Sequence, residues 1–337
     1  MLTFLSLLNL ILLRGIWEEE TMKIRVSYGT AVVLGLKKGK MLAKPTTAYF
    51  MTYYKGRCLN NCAFCVQARE SKSNLEKLSR ITWPAFDLGE VLERLKTSKF
   101  ARICLQTVDY PNLREDVLKI LKAFYPLSFP VSLSITPVDE KSLRKFRRLG
   151  VDYIGVGIDA ATEGVYNQVK DSMYSWEEMW RFVDAVVDVF GEGKAFVHLI
   201  FGLGESEEEF LQAVQRAYDS KAKVSIFAFT PIKGTRLENK APPDLNRYRL
   251  MQIGVYLIEN KIARVEEFKF ENGRLVDFGL SREELLEVLD ESVFMTHGCP
   301  GCNRPYYNEK PSKEPYNFPV RPEKKQFERV LSRLFHE

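Results

Sequence analysis

The sequence predicts an α/β chain folded as a (β/α) barrel of the TIM type, full or partial, with a C-terminal extension over the barrel mouth. Three observations predict it. Apolar, β-branched or aromatic runs recur along the chain, and segments with apolar residues at three- and four-residue spacing separate them. Polar residues able to do chemistry follow nearly every run, as they do where barrel loops collect a site.

Taken in order, the strand candidates are "TAYFMTYY", "ARICLQTV", "FPVSLSIT", "VDYIGVGI", "KAFVHLIFG" and "KVSIFAFT". The crossover helices between them are "REDVLKILKAFY", "DEKSLRKFRRLG", "SWEEMWRFVDAVVDVF" and "SEEEFLQAVQRAYDS", where a glycine often closes the helix. "KFENGRL" reads as a hairpin turning at Asn272-Gly273, and a Pro-rich basic stretch from Lys310 to Lys325 leads to a short final helix. The expected organisation is a lead-in at 22–45, a barrel at 46–285 and a C-terminal cluster-bearing segment and tail at 286–337.

Residues 1–21 stand apart. "MLTFLSLLNLILLRG" is too short to span a bilayer and lacks a basic start and a small-residue cleavage site. Met22 opens a more ordinary beginning, "MKIRVSYGTA", so 1–21 read as an extension from a mis-assigned start codon.

A chain of 337 residues can bury one substantial core, and 49 basic against 44 acidic residues leave only +5. With no basic, aromatic-rich motif, nucleic acid is not an expected partner, and neither is a membrane. Without an export signal the six cysteines face a reducing cytoplasm, where close spacing favours metal or catalytic roles over disulfides.

Three of those cysteines crowd into "GRCLNNCAFCVQA", where Cys58, Cys62 and Cys65 form a C-x3-C-x2-C array straight after the first barrel strand. Three thiolates can ligate three irons of a 4Fe-4S cube and leave the fourth iron open, whereas electron-carrier ferredoxins normally supply a fourth cysteine. The competing reading is a zinc site sharing one distant cysteine. The array, with Phe64 just before its last cysteine, resembles the signature of the radical S-adenosyl-L-methionine (radical SAM) enzymes. That resemblance implies that SAM occupies the open iron through its amino and carboxylate groups and is cleaved to a 5'-deoxyadenosyl radical, which takes hydrogen from unactivated carbon.

The resemblance continues over about residues 46 to 240. "HLIFGLGE" (His198 to Glu205) is similar to the "GGIVGLGE" stretch after the fifth strand of biotin synthases, which lies along the adenine; it implies cofactor contacts at Ile200, Gly202 and Gly204, while His198 reads as a packed strand residue. "GVGIDAAT" resembles the fourth-strand segment whose aspartate helps hold SAM, here Asp159. "TPIKGTRL" resembles "PVKGTPL". The arginine implied on the helix after strand four falls near Met179, with Arg181 as a substitute.

Cys104 lies in the second barrel strand, and Cys299 and Cys302 form "HGCPGC", a tight turn that is a poor core and a good ligand pair. Of the three strand cysteines that hold the second cluster of biotin synthase only Cys104 has a counterpart; Ser132 and Phe196 fall at the others, which argues against biotin synthase activity itself. "THGCPGCNRPYYNEKP" and "VSYGTAVVLGLKKGKMLAKPTTAYF" resemble the C-terminal and N-terminal motifs of the two-protein lipoyl synthases of archaea and some bacteria, a likeness covering nearly all of 22–320.

This likeness implies two 4Fe-4S clusters, the second on Cys104, Cys299 and Cys302 and serving as sulfur source. It implies a sulfurtransferase acting on carbon 6 or carbon 8 of an octanoyl chain attached to a carrier-protein lysine. The implied partners are an octanoylated lipoyl domain or H-type carrier, a companion synthase and a low-potential electron donor. A fourth ligand is open among Ser132, Asn303, Arg304, Tyr306 and Tyr307; His297 is a candidate for the surroundings of the cluster. The competing functions are another radical SAM enzyme with an auxiliary cluster acting on a small substrate, and a non-enzymatic iron or zinc protein.

Overall fold

The strands form where the apolar runs lie, because alternate residues of a run face either the barrel interior or the outer helices and both sides are buried. The computed structural model describes residues 22–335, so the extension expected at 1–21 lies outside the described residues. β1 (Lys23–Val26), α1 (Tyr28–Val33) and β2 (Thr47–Thr52) precede the cysteine loop. After it come the hairpin of β3 (Lys77–Leu78) and β4 (Ile81–Thr82), then β5 (Ala85–Asp87) and α2 (Leu88–Leu95). Alternating units follow: β6 (Arg102–Gln106), α3 (Leu113–Phe124), β7 (Val131–Ser134), α4 (Glu140–Arg148), β8 (Val151–Asp159), α5 (Glu163–Val169), α6 (Trp176–Phe190), β9 (Ala195–Phe201), α7 (Glu207–Asp219), β10 (Lys223–Ala228) and α8 (Leu245–Glu259). The chain ends with the hairpin of β11 (Lys269–Glu271) and β12 (Arg274–Asp277), α9 (Arg282–Val288) and α10 (Lys324–Phe335).

Eight strands make one sheet in the order β10-β9-β8-β7-β6-β2-β1-β5. The pairs from β10 to β2 are parallel, while β1 runs antiparallel to β2 and β5. Strands β10 and β5 are its two edges, so the barrel is partial. Local signals agree with the fold: Ser175 with Glu178 and Ser206 with Glu209 form capping boxes at the starts of α6 and α7. Asn272 and Gly273, both at positive φ, make the expected hairpin turn.

An open edge needs cover, and the C-terminal segment meets the sheet at the end of its β10 edge. Asn308 Nδ2 donates to the Ala228 carbonyl at the end of β10 (2.7 Å), and Thr230 Oγ1 donates to the Asn308 carbonyl (3.2 Å). From the other side Ser79 Oγ and Arg80 Nη1, in the β3–β4 turn, donate to the carbonyls of Tyr307 (3.3 Å) and Tyr306 (3.2 Å). This strap links the end of β10 to the β3–β4 hairpin. The preceding cysteine turn does not cover the mouth, as expected from sequence, but the opposite end. The Gly301 carbonyl accepts from Thr47 Oγ1 (2.9 Å) and the Pro300 carbonyl from Arg102 Nε (3.1 Å), both at the N-terminal starts of their strands. Asn303 fixes it there, accepting from Thr46 N (3.1 Å) and donating to the Lys44 carbonyl (2.9 Å).

Candidate active site

A cavity of about 890 Å³ occupies the barrel interior, within the size range of small-molecule and cofactor sites. Cys58, Cys62, Cys65 and Phe64 line its upper end, and all six cysteines are free of disulfides. The cysteine loop is shaped by backbone bonds to its neighbours: Leu59 N to the Asp109 carbonyl (2.9 Å), Asn61 N to Asp171 (3.0 Å) and Ala63 N to Val169 (2.7 Å). The "TPIKGTRL" segment braces it from outside, through Leu237 N to the Ala63 carbonyl (3.1 Å) and Arg236 Nη2 to the Asn61 carbonyl (2.7 Å). Gly234 is required there, since at φ +90° a Cβ would lie 2.6 Å from the Ser73 nitrogen.

Burial pushes the Cys58 thiol up, Cys62 to about 12 and Cys65 higher still. Backbone amides already point at two of the sulfurs, Asp109 N at Cys58 (3.3 Å) and Gln67 N at Cys65 (3.4 Å). Half-buried thiols whose pKa values are raised, two of them with N–H donors aimed at them, suit sulfurs whose protons are replaced by metal. Among the described residues no three His, Cys, Asp or Glu side chains converge on one point as ligands of a mononuclear ion do. Three thiols on one loop would leave one iron of a cube without a protein ligand, and with backbone donors beside them the set fits a 4Fe-4S cluster.

Asp159 ends β8 at φ +66° next to a register shift in the β8–β9 ladder, and its side chain faces the cavity. Lys170 Nζ meets its carboxylate at 2.8 Å and also donates to the Gly157 carbonyl. Burial works against the ammonium charge, but Asp159, Cys62 and Tyr166 outweigh it and hold the Lys170 pKa above its ordinary value. Lys170 was not read from the sequence; as a lone lysine beyond α5 it carries no spacing signal. It is the cation the cavity holds near the cysteine loop, whereas Arg181 is exposed on α6 and Met179 is core.

Ile200 lines the cavity, but Gly202 and Gly204 lie beyond its wall. Gly202 packs against Pro243 and Phe229, and Glu205 accepts the amides of Leu203 (3.1 Å) and Gly204 (2.9 Å), curling the loop upon itself. His198 lines the cavity edge-on to Phe227, and burial lowers its pKa to about 4, so it is neutral at pH 7.

At the far end Cys104, Cys299 and Cys302 come together. The charge of each of the last two raises the Cys104 thiol pKa, after burial, which is the larger cause. Cys104 stands in register with Tyr49 on one side and Ser132 on the other. Among the candidates for a fourth ligand, the side chain of Asn303 is spent on latching the turn. Arg304 lies 3.9 Å over the Phe227 ring and donates to the His297 carbonyl (2.5 Å). Tyr306 and Tyr307 line the cavity, Tyr307 also edge-on to Phe227. His297 is half-buried, with its Nδ1 atom buried and without a hydrogen-bond partner. The two cysteine triads thus sit at opposite ends of one barrel, with the cavity between them bounded on the lower side by Tyr49, Gln106 and Arg304.

The family profile of the radical SAM superfamily matches residues 53–217. The chain is 24% identical over 267 residues to the biotin synthase of Coxiella burnetii, covering 76% of this chain and 74% of that one. It is 26% identical over 192 residues to the biotin synthase of a Sulfurihydrogenibium species, spanning 55% of each. Among solved structures, the FeFe-hydrogenase maturase HydG superposes with a TM-score of 0.50 at 12% identity, over 68% of this chain and 52% of the maturase; this shows shared fold. Methylornithine synthase matches with a TM-score of 0.49 at 18% identity, and the chain spans 60% of its length. No helix among the described residues is long and apolar enough to cross a membrane. With its cysteine loop at the top of a mostly parallel barrel, the chain carries a domain of the radical SAM superfamily and is similar to the biotin synthases.

Proposed function

We propose that this chain is a sulfurtransferase of lipoyl cofactor biosynthesis, one component of a two-protein lipoyl synthase that inserts sulfur into a protein-bound octanoyl or mercapto-octanoyl chain. The observation that carries the reading is the position of Cys299 and Cys302 beside Cys104, across the cavity from Cys58, Cys62 and Cys65. When bound, SAM and the cluster on the upper triad supply a radical that removes hydrogen from carbon, and a cluster on the lower triad supplies sulfide. An alkyl chain entering the cavity would pass between the two.

The chain's own residues support such a substrate. The cavity wall is largely apolar and aromatic, including Trp83, Phe229, Tyr306 and Tyr307, so an alkyl arm is desolvated and water kept from a reactive intermediate. Asp159 and Lys170 provide paired charge beside the cysteine loop, where the zwitterionic end of SAM would be held. At the rim lie Lys40, Met41 and Leu42, the last 75% exposed, in a loop that carries Lys37, Lys38, Lys40 and Lys44 without an acidic residue. A basic rim around an apolar entrance suits an acidic carrier protein with an acylated lysine.

The test is anaerobic turnover of the reconstituted protein with an octanoyl-lysyl carrier, SAM and a strong reductant. Sulfur on the acyl chain is expected, alongside 5'-deoxyadenosine. Cys299→Ala with Cys302→Ala should still form 5'-deoxyadenosine but transfer no sulfur. Sulfur transfer unaffected by that double variant would sink the reading.

A further inference from the structure

Each thiol of the lower triad is faced by one polar side chain from a different strand. Tyr49 Oη of β2 is 3.4 Å from Cys302 Sγ, Gln106 Nε2 of β6 is 3.6 Å from Cys104 Sγ, and the Ser132 hydroxyl of β7 lies beside Cys299, where it favours the thiolate. The direction of these bonds is fixed by what else each group does. The Tyr49 oxygen already accepts the backbone amides of Asn303 (3.1 Å) and Arg304 (2.9 Å), so its own proton is left for the sulfur. Ser132 Oγ accepts from Arg102 Nη1 (3.1 Å), which likewise leaves the hydroxyl proton for Cys299. Arg102 is held for this by both oxygens of Asp152, at 2.5 and 2.9 Å. The amide nitrogen of Gln106 can only donate.

Three separately oriented donors aimed at three free thiols would accomplish little, because a thiol sulfur is a weak acceptor. Aimed at metal-bound thiolates they act strongly, since hydrogen bonds to ligand sulfurs withdraw charge, stabilise the reduced cluster and raise its potential. We propose that Tyr49, Gln106 and Ser132 are positioning residues that set the reduction potential of the metal centre on Cys104, Cys299 and Cys302, with Tyr49, itself oriented by the cysteine turn, as the principal one. This rests on the reading of that triad as a cluster site. Because Asn303 and Arg304 orient Tyr49 and belong to the same turn as Cys302, docking of the turn and polarisation of the sulfur are one event.

The experiment uses the full chain with Cys58, Cys62 and Cys65 replaced by alanine, reconstituted anaerobically so that the lower centre is the sole source of signal. Iron and sulfide content, the electron paramagnetic resonance spectrum of the reduced state and its midpoint potential are measured with and without Tyr49→Phe, which keeps the ring. About four irons are expected in both proteins, with the midpoint of Tyr49→Phe shifted to more negative potential and its spectrum changed. Gln106→Leu and Ser132→Ala should each shift it the same way, and Ser132→Thr should restore the parent value. Full iron with unchanged potential and spectrum in all three variants overturns the donor assignment alone. Loss of iron in Tyr49→Phe also overturns it, by making the phenol a ligand. Absence of iron in the parent overturns the cluster reading and this inference together.

Discussion

At the scale of the residue, Lys170 and Asp159 show how a barrel keeps charge inside itself. Their side chains are 8% and 17% exposed, and each is bearable there only because the other is 2.8 Å away. Lys170→Met leaves a carboxylate in the cavity without its cation, and we expect destabilisation of about 3–5 kcal/mol by denaturant unfolding. Asp159→Asn in the same chain should recover part of it, a coupling of about 0.5–3 kcal/mol. Additive single effects would show that the pair does not share its charge. Asp159 was legible in the sequence because a motif names it; Lys170 was not, since only the path of the chain through α5 brings it back to the strand end. Tyr49 was hidden for a similar reason, since register across β2 and β6 pairs it with Cys104, whereas Gln106, two residues along β6, shares the face of Cys104 by strand alternation.

At the scale of the element, the six parallel strands and the helices α3, α4, α6 and α7 were readable from periodicity, and the structure places each within two residues of the run that announced it, whereas the short α2 and α5 were not read. β1 and β5 were not read either, being four and three residues long and antiparallel additions to the sheet. Helix α8 escaped because it is buried nearly all round, including Tyr248 and Arg249, and shows no stripe. The strap was unreadable because it has no regular structure; its bonds go to β10 and to the β3–β4 turn. Within it Glu309 is buried, and that burial, opposed by the Tyr316 amide and by Arg80, Arg249 and Arg304, raises its carboxyl from 4.5 to about 7. A carboxyl raised in the folded state favours folding when protonated, so the contribution is complete below about 4.5 and disappears as pH climbs through about 7. The full swing is roughly 3 kcal/mol. Hydrogen exchange of residues 304–318, corrected for intrinsic rates, should therefore show less protection at pH 8 than at pH 5.5. Glu309→Gln should flatten that dependence, and a wild-type protein with equal protection at both would refute it.

At the scale of the molecule, the question is whether the metal makes the fold or the fold makes the metal site. Small zinc domains are unfolded without their ion because ligation supplies most of their folding energy. Here the apolar core runs through every parallel strand, from Phe50 and Leu105 to Leu199 and Ile226, all fully buried, and the helices pack on it independently of any cysteine. Five of the six cysteines lie on loops, and the sixth, Cys104, is one position of a strand whose neighbours Ile103 and Leu105 are core. The upper loop is held by backbone bonds to Asp109, Val169 and Asp171, and the lower turn by Thr47, Arg102 and Asn303. Removing iron should thus cost local order, not the barrel. Chelated protein is expected to keep its circular dichroism spectrum and a cooperative thermal transition, with faster hydrogen exchange confined to about residues 56–73 and 296–304. Collapse of the cooperative transition on chelation would mean that the clusters, and not the strand core, hold these strands together.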